Sequence, residues 1–330
     1  MEKNAEKTAI EEKLSRLIDA FCPILYEDDE IFLENMKGKN LAGDDIRRYQ
    51  HWEWTQGVGL YGLWKLFANT KDPKILDILV KFFDRQLAIG FPALNVNTMA
   101  PFLAMSYVGE YLDSERYLAP CRESARWIME HFPRTREGGF QHMTSDTLND
   151  QELWDDTLFM TVLFLANMGR IEGNQAYIDE AQYQFLLHAK YLADDTTGLW
   201  YHGWTFHGRH NFARAFWGRG NCWITIAIPE FLQMAPCAPS TPVSSTSVLK
   251  LPHGRRWSPS WAISVRTVWF SRYPTAPPWA GTARISTRAL RSSPCPMVRR
   301  WQCCFSLSAC IDLRVGTKRG EYYEHRQTME

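Results

Sequence analysis

Between Gly138 and Phe164 the chain reads GGFQHMTSDTLNDQELWDDTLFMTVLF, where polar residues of catalytic type run directly into an apolar stretch. Asp155 and Asp156 are adjacent carboxylates, and they stand between Trp154 and a run of large hydrophobic side chains. A carboxylate taken out of water needs a partner or a raised pKa, and a raised pKa lets an acid donate a proton near neutral pH. Proton transfer is therefore the chemistry this stretch is built for. Paired acids can also hold a metal, but no third ligand stands at a suitable sequence spacing, and no metal is expected. Cys303 and Cys304 are adjacent without a second pair or a nearby histidine pattern, which is not a zinc arrangement.

The element that must carry the two acids reads as a helix. Asn149 has an N-cap side chain and Glu152 follows three residues later, so a helix is predicted from Asp150 to Met168. Leu153, Leu158, Val162 and Leu165 recur at helical spacing, with Phe159, Met160 and Phe164 broadening the stripe toward burial on most sides. On this reading the acids lie in the first turns, where the helix dipole tolerates negative charge.

Similar periodicity extends over the first two thirds of the chain. Helices are predicted over 5–20, after Asp45, and over 57–68, 73–87, 98–112, 115–132 and 176–192, while 21–44 reads as irregular and acidic. No convincing alternating strand interrupts the series. Short connections at 69–72, 113–114 and 169–174 make consecutive helices antiparallel neighbours. Longer connections alternate with them and carry the unusual residues. His51, Trp52, Trp54 and Gln56 precede one helix, Asn95 and Asn97 a second, and the Gly138 loop a third. The fourth begins at Gly198 with GLWYHGWTFHGRHNFARAFWGRGN, dense in Trp and His. If alternate helices start at one end of a ring, these loops share one mouth. An all-α toroid of hairpins is the simplest architecture that does this.

Several of these segments, in order, resemble one known family. NVNTMAP, GGFQH, LWDDTLFM, GLWYHGWTF and WGRGN are similar to motifs of the unsaturated rhamnogalacturonyl hydrolases, glycoside hydrolase family 105, over roughly residues 54 to 234. The resemblance implies an (α/α)6 barrel of six helical hairpins. It also implies an enzyme that removes the unsaturated uronic acid left at the non-reducing end of pectin fragments by lyases. By the same resemblance Asp156 is the general acid/base and Asp155 supports it. His142, His202, Trp217 and Arg219 are pocket residues that contact the sugar, and Trp54 is a candidate platform. Asn97 departs from the pattern, since related enzymes often have Asp near that position, and a second carboxylate there is missing. His207 and His210 match no such role and read as loop residues.

The substrate so implied explains why one acid suffices. Ordinary glycosidases set two carboxyl groups across the scissile bond. A C4=C5 double bond conjugated to the ring oxygen is an enol ether, so a proton delivered to C4 creates an oxocarbenium-like centre at C5, and water adds there. The hemiketal opens and releases the neighbouring sugar. One carboxyl that donates and then accepts a proton can do this, with no cofactor. Burial among Trp154, Trp204 and Trp217 would raise the pKa of Asp156, while a helix N-terminus would lower it. The substrate carboxylate calls for Arg219, His142 and His202. The partner is an unsaturated uronyl oligosaccharide, rhamnogalacturonan-derived, with unsaturated glucuronyl oligosaccharides as the near alternative. Two further readings are an inactive sugar-binding relic and an all-helical epimerase, which would require a histidine pair as acid and base.

Composition divides the chain at about residue 235. The formal net charge of zero hides an acid excess up to residue 230 and a basic excess after it. Residues 231–311 contain no Asp or Glu but ten prolines and thirteen serines, with Trp257, Trp261, Trp269, Trp279 and Trp301 scattered among them. Repeated prolines interrupt helices, while the many aromatics do not suit a flexible linker. Residues 1–235 are thus expected to form the N-terminal part of the barrel domain. Residues 236–330 read as an anomalous Pro/Ser/Arg/Trp-rich tail, produced by a reading-frame change or else disordered, which leaves the barrel incomplete. The tail's arginines form no nucleic-acid-binding module, so no nucleic acid is expected. The polar start lacks the apolar core of a signal peptide, and no run approaches about 18 apolar residues. A cytoplasmic protein without membrane partners is expected.

Overall fold

The computed structural model describes residues 2–26, 28, 30–235, 249–250 and 256–257. The proposed frame change and most of the tail lie outside the described residues. Among the described residues the chain is mostly helical, as expected, and no helix is long and apolar enough to cross a membrane. It divides into two compact units. One takes residues up to Trp127 together with Met143–Asn149, and the other takes Ile128–His142 and the chain from Asp150.

The first unit is built from α1 (Glu2–Phe21), α2 (Glu30–Met36), α3 (Trp54–Thr70), α4 (Pro73–Ile89), α5 (Val96–Tyr111) and most of α6 (Glu115–His131). Local signals set the boundaries. Asp72 caps α4 by accepting from the Lys74 N–H, with Pro73 at the first position, where its missing N–H is harmless. Asn95 and Thr98 form a reciprocal capping box at the start of α5. That helix buries twelve of its sixteen residues, so it is apolar all round, whereas α4 buries one face only. Helices α3 and α5 pack backbone to backbone at Gly57, where a Cβ would come within 2.6 Å of Ala100 Cβ and 2.7 Å of Pro101 N. Trp52 is fully buried among Phe82, Phe83, Phe91 and Phe102, with its indole N–H donating to Thr98 O at 2.9 Å. It is a core residue. The helix expected after Asp45 is a 3-10 turn, Ile46–His51, and the segment read as irregular contains α2.

The second unit holds α7 (Leu163–Glu172), α8 (Gln175–Leu192) and α9 (Gly218–Met234). Helices α7 and α8 form a hairpin through Gly173, which is left-handed (φ 61°) as such a stop requires. The unit also contains a feature absent from the sequence reading. Strand β1 (Glu152–Trp154) pairs antiparallel with β2 (Gly203–Thr205), in the register Glu152 with Thr205 and Trp154 with Gly203.

That ladder corrects the predicted helix start. Asn149 (φ 45°) and Gln151 (φ 59°) are left-handed, and the chain becomes helical only from Asp156, passing through a π-helical turn at Leu158–Val162. The cap-like pattern of Asn149 and Glu152 loses to tertiary hydrogen bonds. The Gln151 N–H donates to Gln141 Oε1, the Gln151 carbonyl accepts from the Phe206 N–H, and the Glu152 carbonyl accepts from the His142 N–H. An α-helix through these residues would leave those three partners unpaired.

Candidate active site

The second unit assembles six of the sequence-predicted site residues. The Asp155 N–H donates to the His202 carbonyl at 3.0 Å, one step beyond the β1–β2 ladder, so the ladder sets acid and imidazole side by side. His202 Nδ1 lies 3.0 Å from Asp155 Oδ1 and 3.6 Å from Asp156 Oδ2. Asp155 is fully buried, while the Asp156 side chain keeps 14% of its surface open. Of the two acids, Asp156 is therefore the one whose side chain keeps any open surface. The Trp223 indole N–H, from α9, donates to Asp156 Oδ1 at 3.1 Å. Gly220, in the first turn of α9, faces the other acid: a Cβ there would come within 2.7 Å of Asp155 Cγ and overlap its carboxyl oxygens. The glycine in WGRGN thus makes room for a buried carboxyl.

The walls are aromatic and basic. The His142 ring stacks flat on Trp154, with centroids 4.4 Å apart and planes 3° apart, and its Nδ1 pairs with Thr157 Oγ1 at 2.9 Å. Trp154 meets His202 edge-on at 4.7 Å, and His202 meets Trp217 at 4.6 Å. The Arg219 guanidinium lies over Trp217, 3.9 Å from the ring centroid, a cation–π arrangement that fixes the charge at the wall. Asn221 ties this wall to the preceding segment. It accepts from the Trp200 N–H and donates to the carbonyls of Trp200 and Trp217.

Electrostatics separate the two acids. Burial, and then the adjacent charge of Asp156, push Asp155 well above the usual carboxylate range. Burial acts in the same direction on Asp156, but the positive charges of His202 and His142, a hydrogen bond with Asp155 and the charge of Arg219 outweigh it and hold Asp156 low. Asp155, Asp156 and His202 also bring three ligand-type atoms within 4.8 Å of one another. His202 is the third group that sequence spacing alone did not reveal, since it lies 47 residues from Asp155.

The remaining candidates sit elsewhere. Trp204 does not flank the acids; it packs against Tyr191 and Phe206 beside the cluster of Leu153, Leu187 and Phe206. It stands directly opposite Leu153 in the β1–β2 register, and side chains paired across a ladder share a face, so it packs with that cluster. His207 makes an exposed pair with Asp150 at 2.8 Å, as suits a loop residue. Trp54 and Asn97 lie in the first unit, and there a residue the sequence reading passed over stands with them. Glu53 is buried, accepts from its neighbour's Trp54 N–H and from Ser145 Oγ, and is hydrogen-bonded by Asn97. Burial pushes its pKa up to about 8. A lone acid between two tryptophans, in HWEW, was the available signal. Trp223 was visible only as the residue where helical periodicity resumes.

Residues 29–250 match the profile of Glycosyl Hydrolase Family 88. The chain is 28% identical over 185 residues to the unsaturated rhamnogalacturonyl hydrolase YesR of Bacillus subtilis (strain 168), covering 56% of this chain and 54% of that protein. A solved structure from Salmonella enterica subsp. enterica serovar Paratyphi A, described as a possible member of the GH105 family, shares 42% identity at a TM-score of 0.62. A similarly described Klebsiella pneumoniae structure shares 41% at 0.60, and in both cases 70% of this chain covers 61% of the other. The chain thus spans between about half and three fifths of the length of these relatives. With the helical fold and the WDD and WGRGN segments placed in one site, the chain belongs to glycosyl hydrolase family 88.

Proposed function

We propose that the protein is a glycoside hydrolase that releases unsaturated galacturonic acid from the non-reducing end of rhamnogalacturonan-derived oligosaccharides, such as lyases leave from pectin. The observation that carries this reading is Asp156, an acid whose side chain is partly open, with a buried acid behind it and a wall of His142, His202, Trp217 and Arg219 around it. Arg219 and the imidazoles suit the substrate carboxylate, and the indole faces suit apolar sugar faces. Asp156 delivers a proton to C4, the double-bond electrons form the C4–H bond, and the ring oxygen stabilises the cation at C5. Water then adds at C5 and returns its proton to Asp156. The hemiketal opens and expels the neighbouring sugar.

The test is a progress curve on an unsaturated galacturonyl-rhamnose disaccharide, followed by loss of the ultraviolet absorbance of the conjugated enol ether. Asp156→Asn abolishes the loss; an active Asp156→Asn variant removes the assignment. Faster turnover of an unsaturated glucuronyl disaccharide would move the substrate to that class. Sugar binding without loss of absorbance would identify a binding relic.

A further inference from the structure

Asp156 is the acid whose side chain keeps open surface, yet its surroundings favour its ionised form, so the proton it delivers must be held nearby. The place for it lies directly behind. Asp155 is fully buried, and its Oδ2, like Asp156 Oδ2, finds no donor among the side chains and backbone groups around it. Both carboxyls stand against one imidazole, with His202 Nδ1 3.0 Å from Asp155 Oδ1 and 3.6 Å from Asp156 Oδ2, and an oxygen of each acid lies within 4.8 Å of the other; a hydrogen bond between two carboxyls requires a proton on one of them. An orphaned buried carboxylate oxygen is costly, and a single shared proton satisfies both. The space is shaped for this, since Gly220 leaves room for the Asp155 carboxyl. The charged and titratable groups facing the pair are His202 on Asp155 Oδ1, His142 across Trp154, and Arg219 on the α9 side.

We propose that Asp155 is the proton store of the site: the pair carries one proton at rest, on Asp155, and passes it through the shared hydrogen bond to Asp156 for delivery to C4. This rests on the glycosidase reading above. In the step, the Asp155 O–H bond breaks as an Asp156 O–H bond forms. The Asp156 proton then bonds to C4 using the electron pair of C4=C5, leaving the pair without a proton beside the C5 cation. Water forms the C5–O bond, and its proton goes to Asp156 and back to Asp155. One water is consumed and the pair is restored. Asp155 touches no substrate, so it is a positioning residue that acts through Asp156.

Two measurements on the full chain test this. Carbon-13 NMR of aspartate carboxyls, assigned with Asp155→Asn and Asp156→Asn, follows the pair from acid to alkaline pH; one carboxyl proton is expected to persist to neutral pH. Both carboxyls ionised at pH 6 would overturn the proposal. Steady-state turnover of Asp155→Asn is expected to fall about tenfold to a hundredfold at neutral pH, with the falling limb of the kcat profile moved at least about one unit toward acid. Removing the neighbouring acid removes the store and leaves Asp156 ionised. A variant with the wild-type profile would also overturn it, whereas a merely structural role would lower kcat without moving the limb. Should the wild-type protein fail to consume the enol ether while the pair still holds its proton, the glycosidase reading fails and the shared proton stands.

Discussion

Glu53→Gln should stabilise the protein, and increasingly so as pH rises from about 5 to 8. The Glu53 carboxyl is buried, and burial raises its pKa from 4.5 to about 8 against the partial opposition of the Trp54 N–H, Ser145 and Asn97. The sign follows from where the proton sits. Below pH 4.5 both folded and unfolded chains keep it, and there is no effect. Between 4.5 and 8 the unfolded chain loses it and the folded chain does not, so stability falls by about 1.4 kcal/mol per pH unit. Above 8 the loss levels off, at a total of about 5 kcal/mol for a span of about 3.5 units. Glutamine keeps the shape and cannot ionise, so its advantage should be near zero at pH 4, about 3 kcal/mol at pH 7 and largest at pH 8. Urea denaturation of both proteins at these three pH values measures it. A difference that stays constant across the range would refute the assignment of a buried, neutral Glu53.

Two further substitutions probe the acid pair from the α9 side. Gly220→Ala should displace the Asp155 carboxyl and destabilise the fold by about 1–3 kcal/mol, read as a lower urea midpoint with unchanged slope, because a Cβ overlaps that group. An unchanged midpoint would show that the carboxyl can move aside freely. Trp223→Phe removes the N–H that donates to Asp156 Oδ1. A hydrogen bond to the ionised form lowers a pKa, so its loss should move the falling limb of the kcat profile toward alkaline pH, opposite to Asp155→Asn. A shift in the same direction for both variants would contradict the arrangement.

Much of the helical frame was legible because its signals are local. Asp72 and Pro73 mark the start of α4, the short turns mark the hairpins, and continuous apolar runs mark α5 and α7. The site residues could be named because Asp156, His142, His202, Trp217 and Arg219 belong to segments that resemble one family. What was not legible depends on distant partners. The Asn149–Glu152 pattern is a valid helix start until Gln141, His142 and Phe206 claim the same backbone groups. The likeness of Asp155 and Asp156 in sequence hides an opposite response to one environment, set by the burial of Asp155 and by the charges of His202, His142 and Arg219 beside Asp156. Trp204 was misplaced because its strand was not foreseen, and Glu53 was passed over because its burial depends on Ser145 from a loop 92 residues on.

His202 grips Asp155 twice, by its carbonyl on the N–H and by its ring on the carboxyl. The two grips are separable, because mutation changes only the second. In His202→Ala the main-chain clamp and the strand register survive, so the acid pair stays where it is and loses only the neighbouring imidazole. Kinetics of that variant would therefore report the loss of the imidazole, its charge and its contact with substrate together, rather than misplacement of the acids.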